Sequence, residues 1–513
     1  MLASVDSCTV TGIDGYIIHV EVDISRGLPA FSIVGLPEIS VRESRDRVKT
    51  AIRNSGYTFP MDRLVVNLAP ADMKKEGTGL DLPVAAGILI ACEIIPQKAT
   101  ENHMIIGELS LDGRIKPVRA VLSCVQTARQ RGYRAVIVPW ENGPEAAMVK
   151  GIDILPVKNL SQMVDYFSGF ADIPALHMNI SDRYDSDEHL YGIDFSEVQG
   201  QFQARRALEI AAAGSHNIIM TGPPGSGKSM MAKRLVTILP ELTFEESMEV
   251  TKIYSVLGLV KDRGNCMLSR PFRSPHHTIS DAGLVGGGSR PGPGEISLAH
   301  NGVLFLDELP EFKRNVLEVL RQPVEDGKIC IARAGANAAY PARFMLVAAM
   351  NPCPCGYLSD PDKECNCTPG QIKKYRSKVS GPLLDRIDIQ IEVPRISYRE
   401  LRSKKRPESS AVIRQRVEKA RSIQVRRFMK TSVFSNARMN TRHLKQFCPL
   451  DDECEKIIER AVDVLGLSPR ACHSVIRVAR TIADLEEEPA ILRPHIAEAI
   501  SLRSFDRDFS RTI

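Results

Sequence analysis

Short apolar runs alternate with amphipathic stretches through the first third of the chain. Runs of β-branched and apolar residues at 17–23, 30–34 and 64–68 predict strands, because turn residues bound each of them. Apolar residues recur at helical spacing over 41–55 and 81–95. This alternation predicts an α+β or α/β domain over residues 1–170.

The same alternation resumes after a polar stretch. Residues 171–192 follow no sustained period and are rich in Asp, which predicts an exposed linker. A helix capped by Ser196 is predicted to run to Ala213, and apolar strands are predicted at 217–221, 301–306 and 345–350. Helical patterns dominate from residue 396 onward. The predicted organisation is therefore an N-terminal domain (1–170), a linker (171–192), an α/β core (193–395) and a helical domain (396–513).

A glycine-rich loop separates the strand at 217–221 from a helical pattern at 230–236. Its residues are Gly222, Pro223, Pro224, Gly225, Ser226, Gly227, Lys228 and Ser229. Glycines at this spacing let backbone N–H groups point at the β- and γ-phosphates of a nucleotide, while Lys228 adds positive charge and the Ser229 hydroxyl is a ligand for Mg²⁺. A glycine-rich turn that binds nothing is the alternative, but the flanking strand and helix favour a nucleoside-triphosphate site that takes ATP and Mg²⁺.

The strand at 301–306 ends in two carboxylates. Asp307 is predicted to hold a water molecule bound to Mg²⁺, and Glu308 is predicted to polarise the attacking water as general base. Acidic pairs at strand ends are common, so the prediction depends on the glycine-rich loop that precedes them.

Composition and charge narrow the class of protein. The chain has 513 residues, of which 43% are hydrophobic and 25% charged, as in large globular enzymes. No apolar run reaches membrane-spanning length and the N-terminus lacks the features of a signal peptide, so a cytoplasmic protein without a membrane partner is expected. Between Arg399 and Lys445 there are 15 Lys or Arg and only 3 Glu. Such an excess occurs on solvated helical faces and on surfaces that contact polyanions, and both interpretations stay open.

Four of the twelve cysteines are clustered, at Cys353, Cys355, Cys365 and Cys367. Four thiolates suit a tetrahedral structural zinc, and reduced thiols without a metal are the alternative. The other cysteines are scattered, which argues against a disulfide framework. The adjacent His276 and His277 favour a role in positioning a loop, because neighbouring histidines rarely converge on one metal ion.

Two segments, 74–81 and 107–118, resemble the proteolytic domain of Lon, a fold of the ribosomal S5 domain 2 type. The serine and lysine of the Lon catalytic dyad correspond here to Gly79 and Leu122. Because such a dyad needs an oxygen nucleophile and an amine, the resemblance implies a protease fold without protease chemistry.

Further segments resemble the ComM (YifB) family of magnesium-chelatase-like AAA+ ATPases. They comprise 270–288, 293–300 and 306–312. A β-hairpin predicted from 327–337 and 340–344 is similar to one that marks the wider clade of AAA+ ATPases containing magnesium chelatase. The resemblance extends from the Lon-like domain to about residue 500, and it implies an AAA+ P-loop core over 193–395 followed by a helical lid over 396–513.

This resemblance implies roles for further residues. Val198 and Gly200 would line the adenine pocket, Asn351 would orient the attacking water, and Arg470 would report the nucleotide state within its own subunit. Arg386 would act as an arginine finger on the nucleotide of a neighbouring subunit, which requires a ring and implies a homo-hexamer. A surface salt bridge to a nearby aspartate is the alternative for Arg386.

The implied function is an ATP-driven motor on branched or single-stranded DNA, namely a branch-migration helicase of homologous recombination and natural transformation, with recombination proteins as partners. A magnesium-chelatase motor subunit and a protein-remodelling adaptor are the alternatives. The Lon-like domain argues against the chelatase subunit, and the basic segment favours DNA over both. Arg333, near the turn of the hairpin, is expected to contact phosphates, and Lys404, Lys405 and Arg406 are expected to attract DNA from solvent.

Overall fold

The computed structural model describes residues 2–75, 77–178, 192–260, 266–288, 292–333, 336–358, 360, 362–396, 407–431 and 433–503. At 39, 40, 42, 332, 333, 336 and 337 this description covers the backbone alone. The chain forms two compact units. Unit 1 comprises Met1–Ser186, Phe244–Leu268 and Ala332–Ala339, and unit 2 comprises Asp187–Thr243, Ser269–Ile331 and Tyr340–Ile513.

Unit 1 is built on a mixed sheet. Its strands are β1 (Leu2–Thr11), β2 (Asp14–Ser25), β3 (Ala30–Val34), β4 (Arg63–Ala69), β5 (His103–Ile105), β6 (Glu108–Leu109), β7 (Ile115–Lys116), β8 (Ala135–Pro139) and β9 (Asp153–Val157). Its helices are α1 (Ile39–Asn54), α2 (Asp81–Ala91), α3 (Val121–Gln130), α4 (Gly143–Ala146), α5 (Leu160–Phe167) and α8 (Phe244–Leu257). Seven strands lie in the order β3-β4-β2-β1-β5-β8-β9. The central pairs β1–β2 and β2–β4 are antiparallel, whereas β3–β4, β1–β5, β5–β8 and β8–β9 are parallel.

The strands and helices predicted for unit 1 are present. The largest difference in a boundary is at the end of one helix: the helix predicted over 81–95 is α2, which ends at Ala91. The chain leaves the helix there because Glu93 adopts a φ of 60°, in the left-handed region that an α-helix cannot contain. Every residue of α2 is buried, which is why the pattern of its sequence is apolar rather than amphipathic.

Unit 2 contains the glycine-rich loop and the C-terminal helices. Its strands are β10 (Ile218–Thr221), β11 (Phe272–Arg273), β12 (Gly286–Gly287), β13 (Gly292–Pro293), β14 (Val303–Leu306), β17 (Met345–Met350) and β18 (Ile389–Glu392). The predicted hairpin is formed by β15 (Lys328–Arg333) and β16 (Ala336–Pro341), and its end, Ala332–Ala339, belongs to unit 1. The helices are α6 (Phe202–Gly214), α7 (Lys228–Arg234), α9 (Asp281–Val285), α10 (Glu295–Leu298), α11 (Arg314–Val319), α12 (Arg321–Asp326), α13 (Pro369–Arg376), α14 (Gly381–Leu384), α15 (Ser410–Phe428), α16 (Thr441–Phe447), α17 (Asp452–Leu465), α18 (Pro469–Leu485) and α19 (Arg493–Ser501).

A five-stranded sheet forms the centre of unit 2. Its order is β11-β14-β17-β10-β18, and every neighbouring pair is parallel. Strands β10, β14 and β17 are buried along their whole length, as expected for a parallel sheet covered on both faces. A single apolar cluster joins this sheet to the C-terminal helices, with Ile218 and Val347 on strands and Val475 and Val478 on α18.

One predicted cap is wrong. Ser196 does not cap the helix that ends near Ala213, because that helix, α6, begins at Phe202. Ser196 lies instead in a short 3₁₀ turn, where its N–H donates to the carboxylate of Asp194. Gly200 and Gln201, with φ of 61° and 50°, separate this turn from α6.

Within the described residues, no helix combines the length and the apolar character that crossing a bilayer requires.

Candidate nucleotide-binding site

The register of the parallel sheet brings three predicted motifs to one edge. Thr221 of β10 pairs with Met350 of β17, and Leu306 of β14 pairs with Ala348 of β17. The glycine-rich loop, Asp307 and Asn351 each follow directly from the carboxyl end of one of these strands. In open parallel sheets ligands bind beyond this edge, so the motifs meet where a nucleotide would bind.

The backbone of the glycine-rich loop explains why its glycines are needed. Gly225 and Gly227 have φ of 78° and 91°, a region that L side chains rarely adopt. A Cβ added at Gly222 would overlap the carbonyl oxygen of Val393. Two of the glycines are therefore required by conformation and the third by close packing.

Lys228 points into this loop. Its Nζ donates to the carbonyl oxygens of Gly222 at 2.6 Å and Pro223 at 2.9 Å, and lies 3.4 Å from Oδ1 of Asn351. Burial lowers the pKa of Lys228 to about 8, although the charge of Asp307 opposes part of this shift. The ammonium group is thus positioned for a phosphate and is poorly solvated without one.

Ser229 and Asp307, the two predicted Mg²⁺ ligands, lie together. The Ser229 hydroxyl donates to Oδ2 of Asp307 at 2.6 Å. Oxygen donors from a hydroxyl and a carboxylate are those that Mg²⁺ takes in phosphate-transfer sites, where it keeps several waters. These residues fit the ion predicted from the sequence.

Glu308 is strained and paired with a histidine that sequence reasoning assigned only to loop positioning. Its φ is 51°, in the left-handed region, and its N–H donates to Oδ1 of Asp307 at 2.9 Å. Nδ1 of His277 lies 3.7 Å from Oε2 of Glu308, and the imidazole ring contacts the edge of Phe312. Strain at a non-glycine residue is common at functional sites, and the Glu308 carboxylate, 58% exposed, lies within ion-pair distance of His277.

The residues predicted to line the adenine pocket differ in exposure. Val198 is fully buried in the core of unit 2, whereas Gly200 is partly exposed. Their neighbour Gln201, which the sequence did not single out, contacts the glycine-rich loop: its Nε2 donates to the Ser226 carbonyl at 3.4 Å and to the Pro394 carbonyl at 2.6 Å.

Arg386 and Arg470 converge on one carboxylate, Glu325. Nη2 of Arg386 lies 2.5 Å from Oε2 of Glu325, and Nη2 of Arg470 is hydrogen-bonded to Oε1. Burial alone would raise the pKa of Glu325, but the two guanidinium groups hold it below its usual range. The alternative partner for Arg386, a nearby aspartate, is not the one observed. The three side chains line a cavity of about 130 Å³.

Asp388 holds α18 on the sheet of unit 2. It accepts from Ser474 Oγ at 2.7 Å, and it lies 3.5 Å from Arg477 and 3.4 Å from Nδ1 of His216. Burial would raise the pKa of Asp388, but Arg477, His216 and Ser474 hold it well below its usual range. This network could not be predicted from the sequence, because its members come from three distant parts of the chain.

The four clustered cysteines come together in space. The Sγ atoms of Cys353, Cys355, Cys365 and Cys367 all lie within 4.8 Å of one another. Three of the separations are 3.3, 3.5 and 3.6 Å. Sulfurs around a tetrahedral zinc, with Zn–S bonds of about 2.3 Å, are about 3.8 Å apart, so the cluster is consistent with zinc. The backbone N–H of Tyr357 lowers the pKa of Cys355 to about 6, which favours a thiolate.

Much of the basic segment is engaged within unit 2. Arg416 pairs with Glu209 at 2.6 Å and with Glu408 at 2.8 Å, and Arg427 pairs with the buried Asp484. Other residues of the segment that bond to acidic side chains or to backbone carbonyls are Arg414, Lys419, Arg421 and Arg438. The count of basic residues therefore overstates the charge available to a polyanion.

The residues predicted to contact DNA lie mostly outside the part of the chain that the structure describes. The backbone of Arg333 ends β15, next to the turn of the hairpin. Lys404, Lys405 and Arg406 lie outside the described residues.

The positions of the Lon dyad carry no catalytic groups. A Cβ added at Gly79 would contact Ile106 and Val118 at 3.7 and 3.8 Å, and Leu122 is fully buried. Both positions therefore lie in apolar surroundings.

Comparison with known proteins agrees with this geometry. Three family models match the chain: "Magnesium chelatase, subunit ChlI" over residues 194–401, "Subunit ChlI of Mg-chelatase" over 20–142 and "Magnesium chelatase, subunit ChlI C-terminal" over 407–503. Lon protease 2 of Bacillus subtilis is 33% identical over 125 residues, which are 24% of this chain and 22% of the protease.

Two relatives match almost the whole chain. Competence protein ComM of Haemophilus influenzae is 42% identical over 509 residues, covering 99% of this chain and 98% of that protein. Protein YifB of Escherichia coli is 42% identical over 507 residues with the same coverage. The predicted α/β fold, with a P-loop core and a Lon-like N-terminal domain, is confirmed. Because the identity extends along both chains, this protein belongs to the ComM (YifB) family of magnesium-chelatase-like AAA+ ATPases.

Proposed function

We propose that this protein is a ring-forming, hexameric ATPase that drives branch migration of DNA in homologous recombination, including the integration of DNA taken up in natural transformation. The observation that carries the ATPase is the convergence of Lys228, Ser229, Asp307 and Asn351 at one sheet edge. The DNA function is supported by the full-length relative named as a competence protein. Reduced cysteines suit a cytoplasmic site of action.

Each residue of the nucleotide site has a distinct task. The glycine-rich loop and Lys228 bind the phosphates, and Ser229 and Asp307 hold Mg²⁺, which neutralises charge on the β- and γ-phosphates when bound. Glu308, which lies beside His277, accepts a proton from the attacking water. Asn351 orients that water. Gly200 forms the side of the pocket that meets adenine, and the fully buried Val198 belongs to the core that supports this side.

Hydrolysis is completed by arginines at a subunit interface. Because Arg386 and Arg470 bond to the same carboxylate, they lie close enough to reach the same phosphate. We assign both to the nucleotide of the neighbouring subunit, with Glu325 holding them in place. This assignment revises the expectation that Arg470 acts within its own subunit.

DNA contacts come from two places in this proposal. Arg333 meets phosphates at the hairpin, and Lys404, Lys405 and Arg406 attract DNA from solvent. Replacing the latter three by Ala should lower the salt slope by about one unit per lost contact, so the loss of DNA affinity should be largest at low salt and should shrink as salt rises. A structural zinc on the four cysteines completes the set of cofactors, with ATP and Mg²⁺.

One experiment tests the function directly. The purified protein is incubated with ATP, Mg²⁺ and a labelled four-way junction, beside forked DNA, a porphyrin with Mg²⁺ and a folded substrate protein. We expect ATP-dependent branch migration that Glu308→Gln abolishes while it retains ATP binding. ATP hydrolysis with no movement of either DNA, or with metal insertion into the porphyrin, would contradict the proposal.

A further inference from the structure

The four-cysteine cluster touches the nucleotide site through one glycine. Gly356 follows Cys355, has a φ of 87°, and its N–H donates to the carbonyl of Cys353 at 3.0 Å. A Cβ added at Gly356 would lie 2.6 Å from Cδ and 2.8 Å from Cγ of Pro224. The knuckle between the first two cysteines is therefore packed against the glycine-rich loop without room for a methyl group.

A second connection runs along the backbone. Asn351, whose Oδ1 lies 3.4 Å from Nζ of Lys228, is two residues before Cys353. The intervening Pro352 carbonyl accepts from Nε of Arg376 at 3.2 Å, so α13 fixes the same stretch from the other side. Displacement of the knuckle would thus move Pro224, which is next to Pro223, and Asn351, and both Pro223 and Asn351 contact the Lys228 ammonium group.

The cysteines lie in a segment that regular secondary structure does not fix, although Arg376 of α13 anchors its start at the Pro352 carbonyl. The described residues between β17 and α13 form no helix or strand, and Cys353 is their fully buried thiol. Thiol groups are weak hydrogen-bond partners, whereas four zinc–thiolate bonds would hold a loop rigidly. The metal would therefore determine whether Gly356 stays against Pro224.

We propose that zinc bound by Cys353, Cys355, Cys365 and Cys367 holds Gly356 against Pro224 and thereby keeps the glycine-rich loop in the shape that binds nucleotide. The inference rests on the nucleotide and zinc sites of the proposed function and is independent of DNA. Because coupling between two binding sites is reciprocal, ATP must raise the affinity for zinc by the same factor as zinc raises the affinity for ATP.

The first test separates the contact from the metal. Gly356→Ala places a methyl group against Pro224 and strains the backbone, while Gly370→Ala adds the same group where nothing lies within 4 Å. Zinc content and the affinity for a fluorescent ATP analogue are measured for both. We expect one zinc per chain in each, with affinity about tenfold weaker for Gly356→Ala and unchanged for Gly370→Ala.

The second test uses the wild-type protein and so does not depend on a variant that folds. A zinc-selective chelator removes the metal while Mg²⁺ stays in excess, and the affinity for the ATP analogue is measured before removal, after it, and after zinc is restored. We expect a loss of about tenfold or more that zinc reverses. The affinity for zinc, measured with and without the ATP analogue, should change by the same factor.

The outcomes distinguish this inference from the proposed function. Equal nucleotide affinity with and without zinc, absence of zinc from the purified protein, or normal binding by a zinc-loaded Gly356→Ala would each overturn the coupling while leaving the ATPase intact. A zinc-loaded wild-type protein that binds no nucleotide would instead overturn the proposed function.

Discussion

Raising the pH should weaken nucleotide binding through Lys228. Its side chain is 8% exposed, and burial lowers its pKa to about 8 in the nucleotide-free protein. Bound polyphosphate stabilises the protonated form, so the pKa of Lys228 in the complex lies well above that value. Above pH 8 binding must therefore take up a proton, and affinity falls as the pH rises.

The size of the effect follows from the fraction of Lys228 that is protonated. With a pKa of about 8, this fraction falls about 25-fold between pH 7.5 and pH 9.5, and the affinity falls with it. A solvated lysine, with a pKa of about 10.4, would change the affinity only about 1.1-fold over the same range. The γ-phosphate is ionised throughout this range, since the second pKa of a phosphate ester is about 6.

The assay is an equilibrium titration with a fluorescent ATP analogue at fixed ionic strength and Mg²⁺ concentration. Lys228→Arg is the control, because a guanidinium group keeps its charge across the range and should give a flat profile. A change of less than about twofold in the wild-type protein, or the same slope in both proteins, would show that Lys228 is not the group that titrates.

Three further predictions concern the subunit interface, the docking of α18 and the hairpin. Arg386→Ala should bind ATP but hydrolyse it poorly. Mixing this variant with Glu308→Gln subunits should restore part of the activity, because only a site shared between two subunits permits such a rescue. No recovery at any mixing ratio would exclude a shared site. Glu325→Gln should cost less than about 1 kcal/mol in urea unfolding, because the side chain is 43% exposed. Asp388→Asn should cost about 3 kcal/mol, because it removes a buried negative charge that faces Arg477 and His216. Equal losses would refute the contrast. Arg333→Ala should abolish stimulation of the ATPase by DNA while basal hydrolysis survives, and normal stimulation would remove the hairpin from the mechanism.

The nucleotide site could be predicted from the sequence because the chemistry there depends on neighbours in the chain. A glycine-rich loop must lie between a strand and a helix, so Gly222 to Ser229 could be recognised from eight consecutive residues and their flanks. Asp307 and Asn351 could be placed at the same edge because parallel strands end on one side of a sheet. The clustering of the four cysteines could also be predicted, because all of them lie within a short stretch of the chain.

The tertiary structure alone decided which partners these groups have. Glu325 binds Arg386 and Arg470, His277 lies beside Glu308, and Gly356 packs on Pro224, although in each pair the residues are far apart in the chain. Apolar periodicity specifies which face of an element is buried, but not which polar side chain of another element will meet it. For this reason the sequence left both interpretations of the basic segment open, and the fold shows that many of its charges pair with acidic groups and carbonyls.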